Sequence, residues 1–187
     1  MASIYLPKRK LRYHGDGDIV SSEFMTPGGC RYLIQLCEQH AEWRSDSAAV
    51  YAYTTVDLEI DKAPAVKAWC QGVGLLVKVS ARVAQAHGGF PLTALDDLFV
   101  VKYTASGEIS QQELPRHVDA GDLSFMVALS ALGEDYDGGG TGFDVLGDSG
   151  SGHSEGDRRA AIHLKQVSGH IGSLVDLLAG NLFTSLL

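Results

Sequence analysis

The stretch LPRHVDAGDLSFMVALSAL, from Leu114 to Leu132, places a histidine and an aspartate two positions apart at the head of an apolar run. The run LSFMVALS is short and apolar, which favours a strand. Residues two apart on a strand share a face, so His117 and Asp119 can reach one metal ion. An imidazole and a carboxylate so placed, completed by a later histidine, form a facial triad that binds non-haem iron(II). The same spacing also fits a hydrogen-bonded surface pair.

From Leu98 onward the chain is a series of strand-like segments separated by Gly, Asp and Ser. These segments are LFVVKY, ELPRHVD, LSFMVALS, GTGFDVL, AAIHLKQV and GHIGSLV. Short strands at close spacing predict a sandwich or a barrel.

Two helices are predicted before this β-rich half. The first begins at Thr26-Pro27, with Thr as N-cap and Pro in the first turn, and runs to Trp43. The alternating segment AVYAYTTVDLEI then predicts a strand. The second helix runs from Pro64 to Ala86, where HGG stops it. Residues 1–23 are predicted to be an N-terminal arm with at most one short strand, and residues 24–187 a single domain.

Composition excludes several classes of function. The 187 residues carry 23 acidic and 15 basic side chains, a net charge of −8, which argues against nucleic acid as a partner. No apolar stretch reaches the roughly 18 residues of a spanning helix, so no membrane partner is expected. The N-terminus does not resemble a signal peptide.

The cysteines, Cys30, Cys37 and Cys70, lack metal-type spacing and are predicted to be core thiols. We therefore predict a cytoplasmic protein, of undefined oligomeric state.

Three segments resemble the prolyl 4-hydroxylase-like group of 2-oxoglutarate and iron(II)-dependent dioxygenases. They are YTTVDLEI, LFVVKYTASGEISQQELPRHVDAGDLSFMVALS and GEDYDGGGTGF, which fall in the order and at the separations typical of that family. The resemblance implies an α+β fold, a double-stranded β-helix (jelly roll) with supporting N-terminal helices. It also implies Fe(II), 2-oxoglutarate as cosubstrate, ascorbate as reductant, and hydroxylation of a peptide or small-molecule substrate.

The resemblance assigns roles to individual residues. His117 and Asp119 would be the first two iron ligands. Tyr103, at the end of FVVKY, matches the tyrosine whose hydroxyl reaches the carboxylate of 2-oxoglutarate, although an ordinary strand aromatic also fits there. In GGGT the glycines permit a tight turn between strands on either interpretation.

The C-terminal segment departs from the family pattern. The family supplies its distal ligand from His-x-Gly-x-Leu-x-His, whereas HIGSLVD here places Asp176 at the position of the second histidine. A second carboxylate still gives a possible ligand set for iron(II) or manganese. His170 is an alternative third ligand, and His163 and His153 are less favoured ones.

The basic residue that the family places about ten positions later also has no counterpart. No Lys or Arg follows Lys165. A charge-assisted bond contributes about 1.5–3 kcal/mol, so its loss predicts a cosubstrate affinity weaker by roughly tenfold to a hundredfold. Lys165, Arg158 and Arg159 are the nearby replacements.

The tail LLAGNLFTSLL lacks the alternation of a closing strand, as a truncated or alternatively spliced end would. These departures leave a second interpretation open, in which the chain is a non-catalytic jelly-roll relative that acts as a binding module. A cupin-like metal enzyme shares the fold, but the chain lacks the several-histidine ligand pattern of that class.

Overall fold

The structure, a computed structural model, describes residues 3–7, 10–14, 19–40, 42–43, 56–89, 97–104, 124–137, 141–144, 159–162, 172–176 and 185–186. Of His14 and of the strands after residue 140 it describes only the course of the backbone. The helices are α1 (Pro27–His40), α2 (Pro64–Gly72) and α3 (Leu75–Ala86), and a 3₁₀ turn spans Ile60–Lys62. The strands are β1 (Arg12–His14), β2 (Ile19–Glu23), β3 (Asp57–Glu59), β4 (Phe99–Val101), β5 (Ser124–Val127), β6 (Thr141–Asp144), β7 (Arg159–Ile162), β8 (Gly172–Asp176) and β9 (Ser185–Leu186).

Helix α1 begins where the sequence predicts. The Gly29 amide donates a hydrogen bond to Thr26 Oγ1 at 3.2 Å, which is the N-cap interaction expected of threonine. The Thr26 hydroxyl in turn donates to the Ile4 carbonyl, so the N-terminal segment is fastened to the start of the helix. The predicted end at Trp43 is wrong, because the helix stops at His40 and Trp43 packs against the core beyond it.

The predicted single helix from Pro64 to Ala86 is also wrong, because it is divided into α2 and α3. Gly74 adopts φ +66°, a left-handed conformation that interrupts helical geometry and that glycine adopts without steric cost. The apolar spacing continues across the break, which is why the sequence predicts one helix. Gly88 and Gly89, both with positive φ, follow α3 as predicted.

Seven strands form one mixed sheet in the order β1-β2-β8-β5-β9-β4-β3. Its pairings are antiparallel except that β9 runs parallel to both β4 and β5. Strands β6 and β7 form a separate antiparallel pair.

Most predicted strands are confirmed: LFVVKY contains β4, LSFMVALS contains β5, GTGFDVL contains β6, AAIHLKQV overlaps β7 and GHIGSLV overlaps β8. AVYAYTTVDLEI contains β3, and its earlier part lies outside the described residues, as does ELPRHVD. Two features differ from expectation. The tail contributes β9, and residues 1–23 contain two strands, with Ile19 and Val20 buried. The packed core therefore includes residues from before Phe24.

The three helices pack on one face of the seven-stranded sheet, here called the helix face. Its strand residues are buried and mostly apolar, and cross-strand register aligns Val20 with Phe125 through Val175, and Leu58 with Val100. The exception is the buried Ser22, whose hydroxyl accepts a hydrogen bond from Arg82 Nε of α3 at 2.9 Å. They join a single core cluster with side chains from all three helices, among them Leu33, Val66, Cys70, Val79 and Val83. None of the helices in the described ranges is long and apolar enough to cross a membrane.

Candidate functional site

The opposite side of the sheet is here called the second face. It carries every second side chain of each strand, namely those that point away from the helices. Its buried side chains are Ile19, Ser21, Asp57, Phe99, Val101 and Ser124, whereas Met126 and Glu59 on the same face are partly buried. Serine and aspartate thus occur among apolar residues at positions shielded from water. Buried polar groups of this kind need interaction partners, since burial without them costs free energy, and Ser21, Asp57 and Ser124 each have one in the structure.

Asp176 lies at a register position on this second face. It is the last residue of β8 and pairs with Ile19 of β2 on one side and with Ser124 of β5 on the other. Residues directly opposite one another across a ladder share a face. The preceding residue, Val175, aligns with Val20 and Phe125 on the helix face. Asp176 therefore occupies a register position on the second face, opposite Ser124, the first residue of β5.

Tyr103 follows β4 on the same side. The Lys102 amide donates to the Val56 carbonyl at 2.8 Å, which extends the pairing of β3 with β4 beyond Val101. A further bridge forms at Thr104, so the chain stays extended through Tyr103. The Lys102 ammonium contacts Glu38 of α1 on the helix side. Alternation then directs the partly buried Tyr103 to the second face.

The predicted ligands His117 and Asp119 lie outside the described residues. So do the alternatives His153, His163 and His170 and the basic residues Arg158 and Lys165, while Arg159 begins β7. Asp119 precedes Ser124 by five residues. Chain connectivity alone keeps the Cα atoms of those two residues within about 18 Å of each other.

In the part of the chain that the structure describes, no group of three or more His, Cys, Asp or Glu side chains could hold one metal ion. The predicted set combines one imidazole with two carboxylates. Nitrogen and oxygen donors of this kind suit iron(II) and manganese(II), with the carboxylates favouring the harder ion. The residues therefore fit a divalent metal by donor chemistry, and Asp176 is the one whose register position is defined.

The cysteines are excluded from this site. Cys30, Cys37 and Cys70 are free thiols buried among the helices, as the sequence predicts. Burial raises the pKa of Cys30 and of Cys37 to about 12 and that of Cys70 to about 11. Because the thiolate is the nucleophile and the metal ligand, these neutral thiols are unreactive core side chains.

Sequence reasoning missed the buried polar residues of the second face, namely Ser21, Asp57 and Ser124. In isolation each suggests a solvent-exposed position. The available signal is alternation: Asp57 is flanked by the buried Val56 and Leu58, and Ser124 precedes the buried Phe125. Polar residues that alternate with core residues indicate a second buried face only once the sheet has been assembled.

The chain is similar to procollagen-lysine,2-oxoglutarate 5-dioxygenase 1 of Mus musculus, with 26% identity over 134 residues. The match covers 67% of this chain and 18% of the length of that relative. No protein-family model matches the chain. The similarity supports the broad superfamily of 2-oxoglutarate dioxygenases.

Proposed function

We propose that this chain is an iron(II)- and 2-oxoglutarate-dependent dioxygenase of the prolyl 4-hydroxylase-like group, with a double-stranded β-helix fold. The observation that carries the proposal is the register of Asp176, which lies across from Ser124 on the face away from the helices. Ser124 is five residues after Asp119, so the segment with the His-x-Asp pair leads directly into β5, whose first residue is opposite Asp176. A sheet shielded on both faces, with helices on one of them, is also what a jelly roll with supporting helices requires.

In this proposal His117, Asp119 and Asp176 hold iron(II), and the Tyr103 hydroxyl donates a hydrogen bond to a carboxylate of 2-oxoglutarate. The bound metal and cosubstrate supply the oxidising power for hydroxylation of a carbon atom, and ascorbate serves as the reductant. Phe99 and Val101, both buried on the second face, present apolar surface that excludes water near Tyr103.

The proposed substrate is a peptide, with a small molecule as the alternative. The mouse relative is named for procollagen lysine, so a lysine-containing peptide is the first substrate to test. A cytoplasmic location remains part of the proposal, and the three free buried thiols agree with a reducing compartment.

Succinate release tests the proposal without knowledge of the substrate. The purified chain is incubated with iron(II), ascorbate and 2-oxoglutarate. Uncoupled turnover converts 2-oxoglutarate to succinate even when the substrate is absent. We expect succinate from the natural chain and none from His117→Ala or Asp119→Asn. Glu59→Gln, which removes one partner of an exposed ion pair with Lys62, is the matched control and retains the signal. Equal succinate from all four proteins would contradict the assignment of the metal ligands.

Two sequence observations favour a second candidate function, a non-catalytic jelly-roll binding module. Asp176 replaces the distal histidine, and no Lys or Arg follows Lys165 in the sequence. This candidate predicts that the folded chain releases no succinate. Calorimetry with manganese(II) separates the two cases further, because a module without a metal site shows no difference in metal binding between the natural chain and Asp119→Asn.

A further inference from the structure

We propose that Lys102 is a positioning residue for Tyr103, held in place from the helix side by Glu38 and Trp43. These three residues are here called the latch. The inference rests on the proposed function for the role of Tyr103 as a cosubstrate ligand. It adds a set of residues, none of them a proposed metal ligand, on which the orientation of that tyrosine depends.

The contacts of Lys102 are more numerous than those of an ordinary surface lysine. Its ammonium lies 2.7 Å from Glu38 Oε1 and 2.9 Å from Oε2, so it meets both oxygens of the carboxylate. The same ammonium lies 5.1 Å from the centre of the Trp43 ring, within the range of a cation–π interaction. Trp43 itself is partly buried and packs against the core. The lysine side chain is therefore fixed by a charge and by an aromatic surface at the same time.

The backbone of Lys102 is fixed independently of its side chain. Its amide donates to the Val56 carbonyl at 2.8 Å, one step beyond the last paired residue of β4. Residue 102 is thus bound to β3 through its backbone and to the end of α1 through its side chain. Both attachments act on the residue directly before Tyr103.

Because side chains alternate along a strand, the attachment of Lys102 also determines the direction of the Tyr103 side chain. When residue 102 is held toward the helices, residue 103 is directed to the second face. The phenol hydroxyl lies at the far end of a long, rigid side chain, so a small rotation of the strand displaces it appreciably. A misplacement of about 1 Å in a binding group can reduce a rate by about a hundredfold. The latch therefore acts on cosubstrate binding through Tyr103, and Lys102 itself does not contact the ligand.

The chain offers a matched control at the other end of the same strand pair. Lys62 and Glu59 form an exposed ion pair at 2.6 Å, and Glu59 is opposite Phe99 in the ladder. Lys62→Met thus removes a lysine of the 3₁₀ turn and its ion pair with β3 without touching the segment that leads to Tyr103. Lys102→Met makes the equivalent change within the latch.

The experiment observes Tyr103 directly by fluorine NMR. All seven tyrosines are replaced by 3-fluorotyrosine, and the signal of residue 103 is assigned as the one missing in Tyr103→Phe. We expect Lys102→Met and Glu38→Gln to shift or broaden this signal while the other six stay in place. Lys102→Arg, which can pair with Glu38 and stack on Trp43, restores it, and Lys62→Met leaves it unchanged.

A Tyr103 signal identical in the natural chain, Lys102→Met and Glu38→Gln would overturn the proposal. If Lys102→Met moves all seven signals, Glu38→Gln decides, because it keeps the lysine and the stack on Trp43.

A second titration separates this inference from the proposed function. 2-Oxoglutarate is added with zinc(II), a diamagnetic substitute for iron. We expect the Tyr103 signal to shift in the natural chain, with a dissociation constant at least threefold higher in Lys102→Met and within twofold in Lys102→Arg. If 2-oxoglutarate shifts the signal in no protein, the proposed function fails, while the first comparison still decides whether the latch positions Tyr103. Equal dissociation constants in the natural chain and Lys102→Met would overturn the role of the latch in binding.

Discussion

The two faces of the seven-stranded sheet differ in chemistry and in burial. On the helix face the strands present mainly apolar side chains such as Val20, Val100 and Phe125, and the buried Ser22, bonded to Arg82, is the polar exception. The second face mixes apolar residues with Asp57 and Ser124, and its Met126 and Glu59 are only partly buried. Apolar burial stabilises a fold in proportion to the area removed from water, while buried polar groups contribute little net stability even when hydrogen-bonded. The contrast indicates that the helix face contributes more to the stability of the fold than the second face does.

The largest effect should follow from damage to the helix face. Phe125→Ala removes a buried ring from the core, and we expect the free energy of unfolding to fall by about 3–5 kcal/mol, from lost burial plus the cavity left behind. Urea unfolding followed by circular dichroism measures this loss. Val77→Ala is the control, because Val77 is 74% exposed on α3 and should change stability by less than about 0.5 kcal/mol. Similar losses in both variants would mean that the apolar face is not the main source of stability.

Completing the family pattern on the second face should produce the next largest effect. A chimaera with His at position 176 and an Arg about ten residues beyond restores both groups that the family uses. We expect it to bind 2-oxoglutarate at least tenfold more tightly than the natural chain, which corresponds to about 1.4 kcal/mol. Calorimetry with manganese(II) makes the comparison without oxidation. Tight binding by the natural chain, unaffected by substitution of Lys165 or Arg158, would place the cosubstrate elsewhere.

The buried cysteine thiols of the helices should make the protein less stable at alkaline pH. Burial raises the pKa of Cys37 from an ordinary value of 9.0 to about 12, so the fold favours the neutral thiol. Its contribution is complete below about pH 9 and is lost as pH rises toward the folded value, at about 1.4 kcal/mol per pH unit. Cys37→Ala should therefore flatten the decline of the urea midpoint between pH 9 and 10.5. An unchanged slope would show that Cys37 ionises equally in both states.

The smallest effect should come from the second face itself. Ser124→Ala alters the residue next to Phe125 on the same strand, but on the opposite side of the sheet. We expect a loss of about 0.5–1.5 kcal/mol, the usual net contribution of one hydrogen bond, measured by the same urea unfolding. Ser3→Ala is its control, because the two hydrogen bonds of the Ser3 hydroxyl to the Tyr5 backbone are exposed to water and their loss should cost less. A loss as large as that of Phe125→Ala would remove the distinction between the two faces.

Local signals in the sequence predict the elements well and their arrangement poorly. Thr26-Pro27 identifies the start of α1 because capping and proline geometry depend only on neighbouring residues. The break at Gly74 is not predicted, since the apolar spacing runs through it and one glycine does not always interrupt a helix. The burial of Ile19 depends on β8, which lies more than 150 residues later in the chain. Such pairing is set by tertiary contacts, which no local pattern contains.

In the candidate site, too, some residues are identified by local sequence signals and others only by tertiary pairing. His117 and Asp119 are found from spacing and resemblance, and their geometry stays a prediction. The register position of Asp176 became defined only through the pairing of β8 with β5. The latch on Lys102 brings together residues from the end of α1 and the end of β4, so no motif could have indicated it.

The order of strands in the sheet has a consequence for synthesis of the protein on the ribosome. β8 lies between β2 and β5, and β9 lies between β5 and β4, so two strands that are translated after the other described strands occupy central positions. Val20 is translated 155 residues before its partner Val175. At about 5–20 residues per second the nascent chain waits roughly 8–30 s before this pair can form. During that interval the apolar surfaces of the helices and early strands lack their final partners, so the emerging polypeptide is exposed to aggregation until β8 has been translated.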